Sequence, residues 1–384
     1  MDFAFSDELN MLREMVHKFT EQEIKPVAQQ IDVEGEIPQD LINQMAELGF
    51  FGICFPEEYG GAGAGELGYC VLSEEVSRGS ASVTVLIGAH ASISAMSIYL
   101  DGTELQKKKY LVPMAQGKMI GAFALTEPNA GSDAAAIETT AVRDGNEYVL
   151  NGQKIYISNG SIASVIIVFA VTDKALGAHG GVTAFIVEPD FPGFKVGHDE
   201  DKMGIRGIHS TELLFEDMRI PAENVLGRFG IGFLTAMKAL DRGRLGLGAG
   251  CLGAAKEVLQ MSTKYAKERI QFGKPIGENQ AIQWMLADMA IEIYAMESMV
   301  YRTAWMCDQG MRFSRESAVV KAFCSEKADQ IIHRAIQIHG GIGYMKDFPL
   351  ERIYRDSRIN LIFEGTNEIQ RMIIARDVMK KGGY

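Results

Sequence analysis

Asp144-Gly145-Asn146-Glu147-Tyr148-Val149-Leu150-Asn151-Gly152-Gln153-Lys154-Ile155-Tyr156-Ile157-Ser158 is the stretch on which the fold turns. Asp-Gly and Asn-Gly are strong hairpin dipeptides, because both residue types tolerate the positive φ of a tight turn. Asp144-Gly145 and Asn151-Gly152 bracket the β-prone Tyr148-Val149-Leu150, and Ile155-Tyr156-Ile157 follows. Similar runs recur at Val165-Ile166-Ile167-Val168-Phe169, Ala184-Phe185-Ile186-Val187 and Leu213-Leu214-Phe215. Short strands at regular spacing, without helices between them, predict a small antiparallel barrel or sandwich.

Outward from this block the period changes. Leu9, Leu12, Val16 and Phe19 recur at spacings of three and four, one face of a helix. Pro38 can open a second helix, with Leu41, Met45 and Leu48 facing inward and Gly49 as its C-cap. Glu58 to Gly65 reads as a glycine-rich loop, and helical patterns resume to about residue 120. Past residue 228 or so, Ile282, Met285, Met289, Ile293, Met296 and Val300 form a stripe of core residues on a bundle helix. The reading is a multidomain α+β chain: a helical domain over 1–121, the β domain over 122–228 and a helical bundle over 229–384.

The 384 residues suffice for two or three domains, and 47% hydrophobic with 23% charged residues is ordinary for a globular protein. A net charge of −12 speaks against nucleic acid, which needs a dense basic patch. The run of about 18 apolar residues that a membrane span needs is missing, so none is expected. The acidic start Met1-Asp2-Phe3-Ala4-Phe5-Ser6-Asp7-Glu8 lacks signal- and transit-peptide order, and a cytoplasmic location is expected. Cys54, Cys70, Cys251, Cys307 and Cys324 show no paired spacing, and the histidines form no metal pattern. They read as small buried hydrophobes, with no metal site.

Six segments carry possible chemistry, each with a plainer reading beside it. In Ile362-Phe363-Glu364-Gly365-Thr366-Asn367-Glu368-Ile369-Gln370, a carboxylate sits in an apolar run. Burial raises a carboxyl pKa and suits it to remove a weakly acidic proton; an exposed loop is the alternative. Leu125-Thr126-Glu127-Pro128-Asn129-Ala130-Gly131-Ser132-Asp133 follows an apolar strand and offers hydroxyls and backbone N–H groups to a planar polar ligand, or is merely a capped turn. Tyr156-Ile157-Ser158 is the same at another strand end. Asp241-Arg242-Gly243-Arg244 is either an anion site or an interface ion pair. Arg269, at a helix end before Gln280 opens the next, could meet a pyrophosphate or only the helix dipole. Gln337-Ile338-His339-Gly340-Gly341 has more glycine than a C-cap needs.

The Thr-Glu-Pro, Arg269, Gln337 and Glu364-Gly365-Thr366 segments occur in order along one chain, and in this the sequence resembles the acyl-CoA dehydrogenase family from about residue 3 to 380. The resemblance implies an N-terminal α domain, a central β domain and a C-terminal four-helix bundle, usually a homotetramer with FAD at the subunit interface. It implies that Glu364 is the catalytic base. Leu125, Thr126, Ser132, Tyr156 and Ser158 would line the flavin. Arg269, Phe272, Gln280, Gln337 and Gly341 would hold the diphosphate and adenosine half, in part from the neighbouring subunit. Thr366 and Glu368 would contact FAD beside the base. Asp241 and Arg244 match the pair that meets the adenine portion of CoA, and Ser132 and Gly365 would touch the thioester ligand.

Many relatives carry Trp where this chain has Tyr156, and some place the base at the position of Gly243, which has no carboxylate. The implied reaction is α,β-dehydrogenation of a saturated acyl-CoA to a trans-2-enoyl-CoA. Glu364 takes the α-proton, the β-hydride goes to FAD, and electrons pass to an electron-transfer flavoprotein. Short or medium straight chains are favoured over branched, aromatic or alicyclic carboxyl-CoA esters. An acyl-CoA oxidase, often longer at its C-terminus, and a non-catalytic FAD- or CoA-binding subunit are the competing readings.

Overall fold

The computed structural model describes residues 4–383, so the Met1–Phe3 part of the acidic start lies outside it. Helix α1 (Asp7–Phe19) is opened by Ser6, whose hydroxyl accepts from the Leu9 N–H at 3.3 Å, and buries Val16 and Phe19. A wider turn over Thr20–Ile24 continues it into α2 (Lys25–Glu34). Helix α3 (Gln39–Glu47) starts after Pro38 and buries Leu41 and Met45. Leu48, expected to face inward, is exposed: it is the cap residue, and at Gly49, φ 74°, the chain turns into the buried Phe50-Phe51.

After the loop come α4 (Gly65–Ser77) and α5 (Ala81–Asp101). Among the described residues α5 alone is long and apolar enough to cross a membrane, although Gly88, His90 and several serines interrupt its apolar run. Two-thirds of its most apolar window (67%) is buried inside the protein, which accounts for that composition. Its central segment, Gly88–Ala95, is wound as a π-helix, a departure often found at functional sites.

The β domain is one seven-stranded sheet: β1 (Gly121–Ala124), β2 (Thr140–Asp144), β3 (Glu147–Ser158), β4 (Val165–Val171), β5 (Val182–Val187), β6 (Phe194–Asp199) and β7 (Ser210–Pro221). The order is β1-β4-β2-β3-β7-β6, with β5 beside β4. The expected antiparallel pairing holds for β2–β3, β3–β7, β4–β5 and β6–β7, while β1 and β2 each meet β4 in parallel. Asp144-Gly145 begins the β2–β3 hairpin as expected, with Asp144 opposite Glu147. Asn151-Gly152 is not a turn. It lies inside β3 at a register shift against β7, where a Cβ on Gly152 (φ 145°) would stand 2.8 Å from the Thr139 Cα. The dipeptide makes a bulge, because Asn151 and Asp217 exchange hydrogen bonds across the strands at 2.8 and 3.0 Å.

Four long helices follow: α6 (Gly232–Glu268), α7 (Gln280–Asp308), α8 (Ser314–His339) and, after short α9 (Leu350–Ser357), α10 (Asn367–Lys381). Leu245, Leu252, Met289, Met296, Val300 and Ile331 form the common core of α6, α7 and α8, and Ile282 and Met285 pack at its edge. Helix α6 also packs on α4 and α5. It therefore forms one wall between the bundle, the N-terminal helices and the sheet, where the principal cavity opens.

Candidate active site

A cavity of about 1340 Å³ lies between the sheet, α5, α6 and the segment before α10. Leu125, Thr126, Ser132, Tyr156 and Ser158 line it from the strand ends, and Arg244, Glu364, Gly365 and Thr366 from the helical side. Nine of the expected residues, up to 241 positions apart in the chain, thus share one surface.

Glu364 sits at φ 55°, a conformation rare for a residue with a side chain, and Gly365 follows at φ 89°. Several bonds impose the bend. The Glu364 carbonyl accepts from Arg244 Nε at 3.2 Å and from Gln370 Nε2 at 3.1 Å. Gln370 Nε2 also donates to the Gly365 carbonyl at 2.9 Å, and the Thr366 hydroxyl caps α10 by accepting from the Ile369 N–H at 3.4 Å. The carboxyl then points inward, with Oε2 buried and without a hydrogen-bond partner among the described residues. Burial pushes its pKa up to about 7, against the opposing pull of Arg244 and Lys321. Opposite it, α6 carries Gly243: a Cβ there would stand 2.5 Å from Glu364 Oε2.

Arg244 is buried and ion-paired to Asp241 at 2.8 Å. Arg244 lines the cavity and holds the Glu364 carbonyl, while Asp241 lies outside the lining. Glu368 is exposed and also lies outside the lining; the backbone at the start of α10 and then the Thr366 hydroxyl hold its pKa down. Arg269, Phe272, Gln280, Gln337 and Gly341 lie outside the cavity lining as well, all exposed. A two-stranded hairpin, Ile270–Gln271 with Lys274–Pro275, presents Phe272 wholly to solvent at φ 52°. The stacking of Tyr265 on His339, ring centroids 4.5 Å apart, brings the Arg269 end of α6 to the Gln337 end of α8. Surface residues gathered at one end of the bundle suit contact with a second subunit.

Sequence reasoning missed Lys321, fully buried in α8, whose Nζ donates to Asn367 Oδ1 at 2.8 Å. Its signal was a lysine between Val320 and Ala322 on a packed face. Tyr69 and Ile93, which also line the cavity, left no signal beyond helical periodicity.

Models of the acyl-CoA dehydrogenase N-terminal, middle and C-terminal domains match residues 6–118, 122–218 and 230–379. The chain belongs to the acyl-CoA dehydrogenase family. It is 47% identical to acryloyl-CoA reductase (NADH) of Anaerotignum propionicum, over 99% of this chain and 97% of that relative. It superposes on butyryl-CoA dehydrogenase from Megasphaera elsdenii with a TM-score of 0.96 at 42% identity, covering 99% of this chain and 100% of that one. A chain in the structure described as the electron transferring flavoprotein of Acidaminococcus fermentans matches at a TM-score of 0.97 and 45% identity, again over 99% and 100%. The fold of helical ends around a central sheet is the family's, and the protein is an oxidoreductase whose cofactor is FAD. The cavity fits a flavin: Tyr156, 61% exposed, lines it together with the hydroxyl residues Thr126, Ser132 and Ser158 and the apolar Leu125. A flat ring with polar edges needs such a mixture.

Proposed function

We propose that this acyl-CoA dehydrogenase family member desaturates a short- or medium-chain acyl-CoA between its α and β carbons, with Glu364 as the base. The observation that carries the reading is the unpartnered carboxyl oxygen of Glu364, buried in the cavity opposite Gly243. A carboxyl poised near pH 7 can hold a proton taken from carbon. The Glu364 backbone N–H has no acceptor among the described residues, so it is free to donate to a thioester oxygen as charge develops there. Arg244 and Gln370 hold the carbonyl of the same peptide segment and keep base and donor in register. FAD, when bound, supplies the acceptor for the β-hydride. Thr126, Ser132, Tyr156 and Ser158 hold its ring, and the apolar lining excludes water. Arg269, Phe272, Gln280, Gln337 and Gly341 serve the diphosphate and adenosine half bound mainly by a neighbouring subunit, with Thr366 and Glu368 beside the base. Gly365 and Ser132 flank the thioester. The domains follow 1–121, 122–228 and 229–384.

Exposed Trp284, Ile291 and Tyr294 on α7 support a homo-oligomer, a tetramer by the family pattern. The electron-transfer flavoprotein is the proposed electron partner, supported by the Acidaminococcus neighbour. A second reading is the same chemistry run backwards, reduction of an enoyl-CoA, which the similarity to acryloyl-CoA reductase favours. The test is anaerobic mixing of the holoenzyme with a panel of CoA esters. Loss of flavin absorbance with butyryl- or hexanoyl-CoA, and its absence in Glu364→Gln holding the same FAD, is expected. Full-speed bleaching by that variant would overturn the assignment of the base, and peroxide released at each turnover would indicate an oxidase.

A further inference from the structure

The Thr-Glu-Pro segment contributes Leu125 and Thr126 to the cavity, but its Glu127 points away from it, into the protein. There Glu127 meets Lys154 of β3. The two side chains are 4% and 0% exposed, with Nζ 2.6 Å from Oε1. The pair also bonds to backbone. Lys154 Nζ donates to the Leu125 carbonyl at 3.1 Å. Glu127 accepts the Thr139 N–H at 3.0 Å and the Glu138 N–H at 2.5 Å. Beside them the Ile155 N–H donates to the Thr126 carbonyl at 3.0 Å.

We propose that Lys154 is a positioning residue for the flavin: with Glu127 it clamps the Leu125–Thr126 loop to β3, so that both halves of the ring platform move as one body. The inference rests on the flavin site proposed above.

Three observations support it. The clamp joins the two segments that supply four of the five flavin-lining residues expected from the sequence: Leu125 and Thr126 on one, Tyr156 and Ser158 on the other. Tyr156, two residues past Lys154, has φ 57°, and β3 slips register against β7 between Lys154 and Ile157. Such a backbone persists only where its surroundings over-determine it. Finally, a buried ion pair gives little net stability over a well-packed apolar pair, so its bonds to the Leu125, Glu138 and Thr139 backbone point to geometry as its purpose.

The test compares wild type, Lys154→Met and Lys154→Gln. Stripped protein is titrated with FAD, the visible flavin band is recorded, and the urea midpoint is measured. Methionine fills the space but donates nothing, whereas glutamine can still donate to the Leu125 carbonyl. The expected result is FAD affinity weakened by about tenfold or more in Lys154→Met, with an altered flavin band. At least a threefold recovery of affinity is expected in Lys154→Gln at a similar urea midpoint. FAD affinity and band within twofold of wild type in Lys154→Met would overturn the proposal, as would losses that follow the urea midpoint alone. If Lys154→Met does not fold, Lys154→Leu, which also donates nothing, is judged against wild type by the same twofold limit. Acyl-CoA turnover is not read, so failure of this proposal is separable from failure of the assigned reaction.

Discussion

Gly243 and Glu364 face each other across the cavity at a separation that admits no side chain between them: a Cβ on Gly243 would lie 2.5 Å from Glu364 Oε2 and 2.8 Å from Ile93 Cγ2. Ordinary helix geometry makes no demand for glycine here, since α6 runs unbroken through the position. The missing Cβ is room for the base. Gly243→Ala must turn the carboxyl aside while leaving the sheet-side platform untouched. FAD content is expected to stay at the wild-type level, while the rate of flavin bleaching by substrate falls by about a hundredfold. Stopped-flow absorbance measures it, and an unchanged rate would contradict the placement.

The raised pKa of Glu364 gives a signed pH dependence. The base works ionised, so kcat/KM rises with pH through about 7. Stability moves the other way. Between the ordinary carboxyl value of 4.5 and about 7 the folded state holds a proton that the unfolded chain has released, so this group's contribution falls as pH rises through that window. Glu364→Gln cannot ionise. Its urea midpoint relative to wild type should climb from pH 5 to pH 8, and a constant difference would mean that the carboxyl is not buried.

Lys321 lies fully buried in α8 and draws the pKa of Glu364 down. Burial lowers its own pKa to about 8. Lys321→Met removes that pull, so the midpoint of the pH–rate profile is expected to move upward from about 7. The variant also leaves Asn367, at the start of α10, without its lysine donor. A loss of stability of roughly 1–3 kcal/mol should accompany the shift. A stability loss with an unmoved pH profile would show that Lys321 serves only as a strut.

Phe272 touches nothing that would make its truncation costly in a single chain, being 100% exposed at the tip of its hairpin. Phe272→Ala should therefore leave the fold's circular dichroism unchanged while weakening subunit association and FAD retention together. Sedimentation and flavin content after gel filtration test this. A tetramer that keeps its flavin would place the hairpin outside the interface.

Helical periodicity read α1 and the bundle stripe correctly, because packing repeats every three to four residues and local sequence carries that signal. It failed at Leu48, where a cap residue leaves the helix just before the apolar pattern ends. Turn dipeptides succeeded at Asp144-Gly145 and failed at Asn151-Gly152, since positive φ serves a bulge as well as a turn. The parallel contacts of β4 with β1 and β2 were invisible, being set by which strand ends the tertiary fold brings together.

By itself the sequence determined the order of helical, β and helical segments, the motif residues and the family they resemble, because composition and spacing are local properties of the chain. Tertiary structure alone decided which motif residues share a cavity. It set Arg244 against the Glu364 carbonyl, and left Phe272 and Gln337 on an exposed end. It also decided that Glu364 is buried deeply enough to hold a proton near neutrality. Burial and electrostatic neighbours arise from residues far apart in sequence, and no local pattern encodes them.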